Sequence, residues 1–130
     1  MMRSPDLQYF LDSPYLSVDP SVMNLVTKDL EKAEKFLQEA PGKKDALDQL
    51  NTAYQSMYCA VQALLHSIQY KSTGFRAVLV ALEEFYVTTG KLDKIHVEHL
   101  LHAQKVEGTP DENIEAARAL IAAVKGALGK

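Results

Sequence analysis

Hydrophobic side chains recur at steps of three and four along most of this chain, which is the spacing of one face of an α-helix. From residue 19 onward they form five runs: Val22, Val26, Leu30, Ala33, Leu37 and Ala40; Leu47, Leu50, Tyr54, Met57, Val61, Leu64 and Ile68; Phe75, Val78, Leu79, Leu82, Phe85 and Tyr86; a run over residues 93–107; and Ile114, Ala117, Ile121, Val124 and Leu128. No segment alternates apolar and polar residues as a half-buried strand would. The pattern predicts an all-α, up-and-down bundle of about five helices over residues 19–130.

Residues typical of helix ends stand at the boundaries of these runs. Asp19 and Thr109 each precede a proline, so a capping side chain is followed by proline at the first helical position. Thr109-Pro110-Asp111-Glu112 also has the spacing of a capping box. Pro41-Gly42 is expected to end the first helix, and Gly90 the third.

Residues 1–18 form a different segment, an N-terminal arm. Two prolines, Pro5 and Pro14, rule out a long helix there. The arm nevertheless carries five large apolar side chains, at Tyr9, Phe10, Leu11, Tyr15 and Leu16. Because such groups seldom stay in water, we expect the arm to pack on the helical body or on a partner subunit.

A homodimer is expected from the amount of apolar surface. The second predicted helix carries apolar or small residues around more than half of its circumference, which is more than one neighbour in a small bundle would cover. The arm adds further aromatic side chains. Contiguous apolar surface of this kind usually meets a partner.

Composition limits the function classes. The chain has 130 residues and a net charge of −3, which argues against binding nucleic acid by bulk electrostatics. The single cysteine, Cys59, cannot form an internal disulfide and is expected to be a buried free thiol. No apolar stretch is long enough to span a bilayer and no signal peptide is evident, so a cytoplasmic protein is expected.

Three histidines on the fourth predicted helix are the main candidates for chemistry. His96, His99 and His102 span about 120° of a helical wheel. That face is shared with apolar residues, namely Leu92, Ile95, Leu100 and Ala103. An unpaired imidazole nitrogen in a core costs about 1–3 kcal/mol, so leucine or valine would suit a sealed core better. We therefore expect a cleft that opens to a ligand or to a second subunit, and that binds anions better below about pH 6.5.

Two other interpretations of this histidine face remain open. The side chains can be ordinary core or interface histidines paired with carbonyl groups, or they can hold a metal ion, since His99 and His102 lie three residues apart. The segment lacks the glutamate that follows the first histidine in a zinc-protease helix, so no metal site and no cofactor are predicted. Gly-rich phosphate loops and nucleophile elbows are absent from the sequence, and no catalytic residue is assigned.

The middle of the chain resembles HEPN domains. The resemblance covers roughly residues 45–125 and rests on Tyr54-Gln55-Ser56-Met57-Tyr58-Cys59-Ala60-Val61-Gln62-Ala63-Leu64-Leu65, Gln69-Tyr70-Lys71-Ser72, Phe75-Arg76-Ala77-Val78 and Gly90-Lys91-Leu92-Asp93. It implies a bundle of four or five helices, usually a homodimer. It also implies binding of nucleotides or RNA, often beside a minimal nucleotidyltransferase in a toxin–antitoxin pair.

Active members of that family are metal-independent ribonucleases with an arginine followed four to six residues later by a histidine. Here Arg76 has no such histidine, and Lys105 lies close to where the family's arginine is expected. A lysine does not reproduce a planar guanidinium group. We therefore expect a non-catalytic binding module for nucleotide, RNA or a nucleotidyltransferase partner. The candidate ligand-binding residues are His96, His99, His102, Lys105 and Arg76. A ribonuclease with a non-standard histidine site and a purely structural oligomer are the alternatives.

Overall fold

The fold is an all-α bundle, as the hydrophobic pattern predicts. A computed structural model of the chain describes residues 16–129. Its five helices are α1 (Val26–Glu39), α2 (Ala46–Ser67), α3 (Phe75–Leu82), α4 (Lys94–Gln104) and α5 (Pro110–Ala127). None of them is long and apolar enough to cross a membrane.

Helix α2 lies at the centre of the bundle and packs most extensively against α1 and α5. Asp45 caps its start by accepting a hydrogen bond from the backbone N–H of Asp48 (2.8 Å). Its buried residues include Met57, Ala60, Val61, Leu64 and Leu65, each at most 1% exposed. The broad apolar surface of the second helix is therefore largely covered within one chain. The apolar surface of this helix is therefore no longer an argument for a homodimer, and the homodimer stays a prediction.

Besides the helices, the structure has one small sheet, which the hydrophobic pattern does not reveal. β1 (Leu16–Val18) and β2 (Tyr70–Ser72) pair in an antiparallel two-stranded sheet, with Leu16 opposite Ser72. Strands of three residues are too short to show an alternating pattern. The side chain of Leu16 is fully buried in the main core, so this end of the arm packs on the body. The rest of the predicted arm, residues 1–15, lies outside the described residues.

Several helix boundaries differ from the prediction. Asp19 does cap a helical segment, with its carboxylate accepting from the N–H of Ser21 (3.0 Å), but that segment, Pro20–Leu25, is 3₁₀ and α1 begins after it. Helix α3 begins after Gly74, as its predicted run does, but it ends at Leu82 and continues as a π-helical turn, Glu83–Val87. Helix α4 ends three residues before the predicted Glu107.

Candidate functional site: the histidine cleft between α4 and α5

An open cleft of about 540 Å³ lies between α4, α5 and the loop that joins them. We call it the histidine cleft. Its polar lining is formed by Glu98, His99, His102, Glu107, Glu112, Asn113 and Glu115. Small and apolar side chains, among them Ile95, Ala116 and Ala119, line the rest. Ile95 is 44% exposed, which leaves apolar surface available in the cleft.

The structure brings together two of the five residues that the sequence suggested. His99 and His102 line the cleft, whereas His96, Lys105 and Arg76 do not. Lys105 is exposed at the C-cap of α4, and Arg76 is exposed in the first turn of α3. The cleft therefore has the predicted helix and the predicted face, but its second wall is α5, whose glutamates were not among the candidates.

The start of α4 is held by Asp93. Its carboxylate accepts a hydrogen bond from the N–H of Ile95 (2.9 Å), which pairs one of the donors left open in the first turn of a helix. This cap sets the position of Ile95 in the cleft and of His96 beside it.

The end of α4 has the hydrogen bonds of a Schellman motif. The N–H of Glu107 donates to the carbonyl of His102 (3.0 Å), and the N–H of Val106 donates to that of Ala103 (3.0 Å). This motif needs a left-handed residue, and Val106 takes that position with a φ of 59°. A β-branched residue rarely adopts this conformation, so the backbone is strained at the edge of the cleft.

Asn113 fixes the loop between α4 and α5. The side chain is 6% exposed, and its amide donates to the carbonyls of Glu107 (2.9 Å) and Thr109 (2.9 Å). Gly108 lies between these carbonyls with a φ of 87°, and a Cβ there would stand 3.1 Å from the Asn113 nitrogen. The loop that closes one end of the cleft is therefore held by a buried side chain.

His96 and His99 form an edge-to-face pair with ring centroids 6.4 Å apart. The Nδ1 atoms of both rings are buried and have no hydrogen-bond partner among the described residues. The pKa of His96 is lowered by burial and, less strongly, by His99, while Asp93 raises it. His96 is therefore favoured in its neutral form.

The charges that line the cleft are mainly negative. Glu98, Glu107, Glu112 and Glu115 all contribute carboxylates, and no lysine or arginine is among the described lining residues. Such a surface attracts cationic groups and repels phosphates. Within residues 16–129, no group of three histidine, cysteine, aspartate or glutamate side chains is arranged to hold a metal ion.

Sequence reasoning missed one buried polar pair outside the cleft. Nδ1 of His66 on α2 donates to a carboxylate oxygen of Asp29 on α1 (2.5 Å), with side chains only 11% and 14% exposed. In the sequence, Asp29 lies among charges of alternating sign, a pattern typical of a solvent-exposed helix face. Cys59 is only half-buried, and burial, with a smaller contribution from Asp29, raises the pKa of its thiol. A raised pKa disfavours the reactive thiolate.

No family model matches this chain, and neither a curated protein nor a solved structure matches it significantly. The resemblance to HEPN domains therefore stays a prediction that rests on the residues quoted above.

Proposed function

We propose that this chain is a non-catalytic binding module whose histidine cleft holds a basic segment of a partner protein. The observation that carries the proposal is the lining of the cleft, which four glutamates share with His99 and His102. Among the three ligand classes that the family resemblance implies, a protein partner suits this lining better than a nucleotide or RNA, whose phosphates would face carboxylates at short range.

The apolar part of the lining is compatible with the same choice. A volume of about 540 Å³ lies in the range of small-ligand pockets and is large enough for one or two long side chains. Ile95, Ala116 and Ala119 offer apolar surface to the methylene stem of a lysine or arginine, while the glutamates receive its charged end. The imidazoles of His99 and His102 add groups that can accept a hydrogen bond when neutral.

The proposal is tested by NMR with ¹⁵N-labelled protein. The protein is titrated separately with an acetylated, amidated peptide of alternating arginine and glycine, with ATP, and with a short single-stranded RNA. The amide resonances of Glu107, Gly108 and Glu112 are expected to shift with the peptide and not with ATP or RNA. If ATP or RNA shifts them and the peptide does not, the basic-segment proposal is wrong and the cleft is an anion site.

A matched pair of variants ties binding to the cleft. Glu98→Gln removes one carboxylate from the lining, and Glu31→Gln removes an exposed glutamate from α1. One exposed charge pair contributes about 0.2–1 kcal/mol, so Glu98→Gln should weaken peptide binding by up to about fivefold. Equal weakening in Glu31→Gln would indicate attraction to the net charge of the protein rather than to a site.

A further inference from the structure

A second depression runs along the opposite side of α5, between α5 and α1. This groove measures about 430 Å³. Apolar side chains, including Leu37, Pro41 and Ile121, form much of its lining, and Arg118, Lys125 and Glu34 contribute charges. We call it the α1–α5 groove. Helix α5 therefore stands as a ridge with an open depression on each side.

The outer face of this ridge carries several small side chains. Near its middle and C-terminal end, three of the exposed positions are small residues that allow another backbone to approach closely, namely Ala119, Ala122 and Gly126. Arg118 is exposed beside them. When a second molecule is related to the first by a two-fold axis, the ridge of each molecule faces the groove of the other. Each ridge can then enter the other molecule's groove.

Charge is also segregated along α5. Its first two turns carry Asp111, Glu112 and Glu115, and the later part carries Arg118 and Lys125. When two copies of this helix lie antiparallel and cross between Ala119 and Ala122, Glu115 of one copy lies near Lys125 of the other. The two helix dipoles also oppose each other in this arrangement, which is favourable.

The ion pairs that Glu115 and Lys125 make within one chain do not prevent them from pairing between two molecules. Arg118 Nε lies 3.5 Å from Glu115 Oε1, and the two side chains are 59% and 72% exposed. Lys125 pairs with Glu34 at the lining of the groove, again with both side chains about 40% exposed. Exposed pairs of this kind contribute little free energy, so they can be replaced by pairs between molecules.

We infer that the α1–α5 groove holds helix α5 of a second copy of this chain, in an antiparallel two-fold contact. The inference uses a different depression from the proposed function, although Glu115 and Ala119 line the histidine cleft as well. Light scattering reports the dimer without any peptide present, so the two proposals can fail separately. It also gives the expected homodimer a different surface from α2.

Light scattering of the full chain at micromolar concentration tests the inference. The expected mass is twice the chain mass of 14.4 kDa. Ala122→Glu should give the monomer mass, whereas the matched change of an exposed alanine on α2, Ala46→Glu, should leave the dimer intact. A monomeric wild-type protein, or a dimer that withstands Ala122→Glu, would overturn the inference.

A charge exchange makes the test specific and does not depend on the fold of the alanine variant. Glu115→Lys should weaken the dimer about tenfold, because the two-fold axis repeats the lost pair and exposed pairs contribute up to about 1 kcal/mol each. Adding Lys125→Glu to that variant should restore most of the affinity. If the double variant is weaker than Glu115→Lys alone, these two residues do not face each other and the antiparallel contact is wrong.

Discussion

The imidazole of His66 and the carboxylate of Asp29 form a hydrogen bond of 2.5 Å between α2 and α1. Both side chains are largely buried, so replacing Asp29 by alanine leaves a buried ring donor without its acceptor. We expect Asp29→Ala to lower the free energy of unfolding by about 1–3 kcal/mol. Urea denaturation measures this change. Glu31→Ala, on the exposed side of α1, is the control and should change it by less than about 0.5 kcal/mol.

The strain at Val106 predicts a stabilising substitution. Glycine adopts a positive φ freely, so Val106→Gly should raise the free energy of unfolding by about 1 kcal/mol. Thermal denaturation should show a melting temperature several degrees higher.

The opposite substitution can be made at Gly90, which is the left-handed residue at the end of another helical segment. It has a φ of 76° in the same pattern of hydrogen bonds, with the N–H of Lys91 donating to the carbonyl of Tyr86 (2.8 Å). Gly90→Ala should lower the free energy of unfolding by about 1 kcal/mol. If Val106→Gly and Gly90→Ala change the free energy of unfolding in the same direction, the left-handed conformation does not determine stability at these two positions.

Removing the side chain of Asn113 should release the loop at the end of the histidine cleft. Asn113→Ala leaves the carbonyls of Glu107 and Thr109 without their side-chain donor, at a cost of about 1–3 kcal/mol. Hydrogen exchange should become faster at residues 107–109. Asn51→Ala, at an exposed position on α2, should change neither quantity, and slow exchange at Gly108 in Asn113→Ala would contradict the assigned role.

The lowered pKa of His96 predicts how stability depends on pH. A histidine whose pKa is lower in the folded state binds fewer protons folded than unfolded. Its contribution to stability is therefore complete above the unfolded pKa of about 6.5 and is lost as the pH falls toward the folded value. The free energy of unfolding is measured by denaturation at pH 7.5 and at pH 5. Between these two pH values it should fall by less in His96→Leu than in the wild type.

A control separates this effect from other titrating groups. His102→Leu removes an imidazole from an exposed position on the same helix and is the matched control. If His96→Leu behaves like His102→Leu, burial of His96 does not govern the pH dependence.

The sequence predicted those parts of the fold that depend on neighbouring residues. The runs centred on Met57 and Ile121 correspond to α2 and α5, and Thr109 caps α5 as its capping box indicates, by accepting from the N–H of Glu112 (3.2 Å). A helical repeat and a cap both act within a few residues, so they can be read locally. Gly90 also ends its segment as expected, because glycine is the usual left-handed residue there.

Features that depend on distant contacts could not be predicted in the same way. The pairing of β1 with β2 joins segments more than fifty residues apart. Asp29 looked like part of a solvent-exposed run because its partner, His66, lies on another helix. Helix α4 was predicted too long because Val106 gives no stop signal, although it takes the position that a glycine usually holds.

The acidic side of the histidine cleft was missed for a related reason. Glu112 and Glu115 have the ordinary appearance of charges in the first turns of a helix, where they favour the helix dipole. Only the crossing of α4 and α5 places them opposite His99 and His102. Sequence reasoning found the histidine wall of the cleft and not the glutamate wall that decides its charge.

The central position of α2 has a consequence for the order in which the protein is assembled. Residues such as Val61 and Leu64 are sealed by helices that precede and follow them, and α5 is the last of these to leave the ribosome. A nascent chain that has reached only Gly108 holds α2 with part of its apolar surface uncovered. Because exposed apolar surface in a partly made core promotes aggregation, we expect the nascent chain to be most prone to aggregation in the interval before α5 docks.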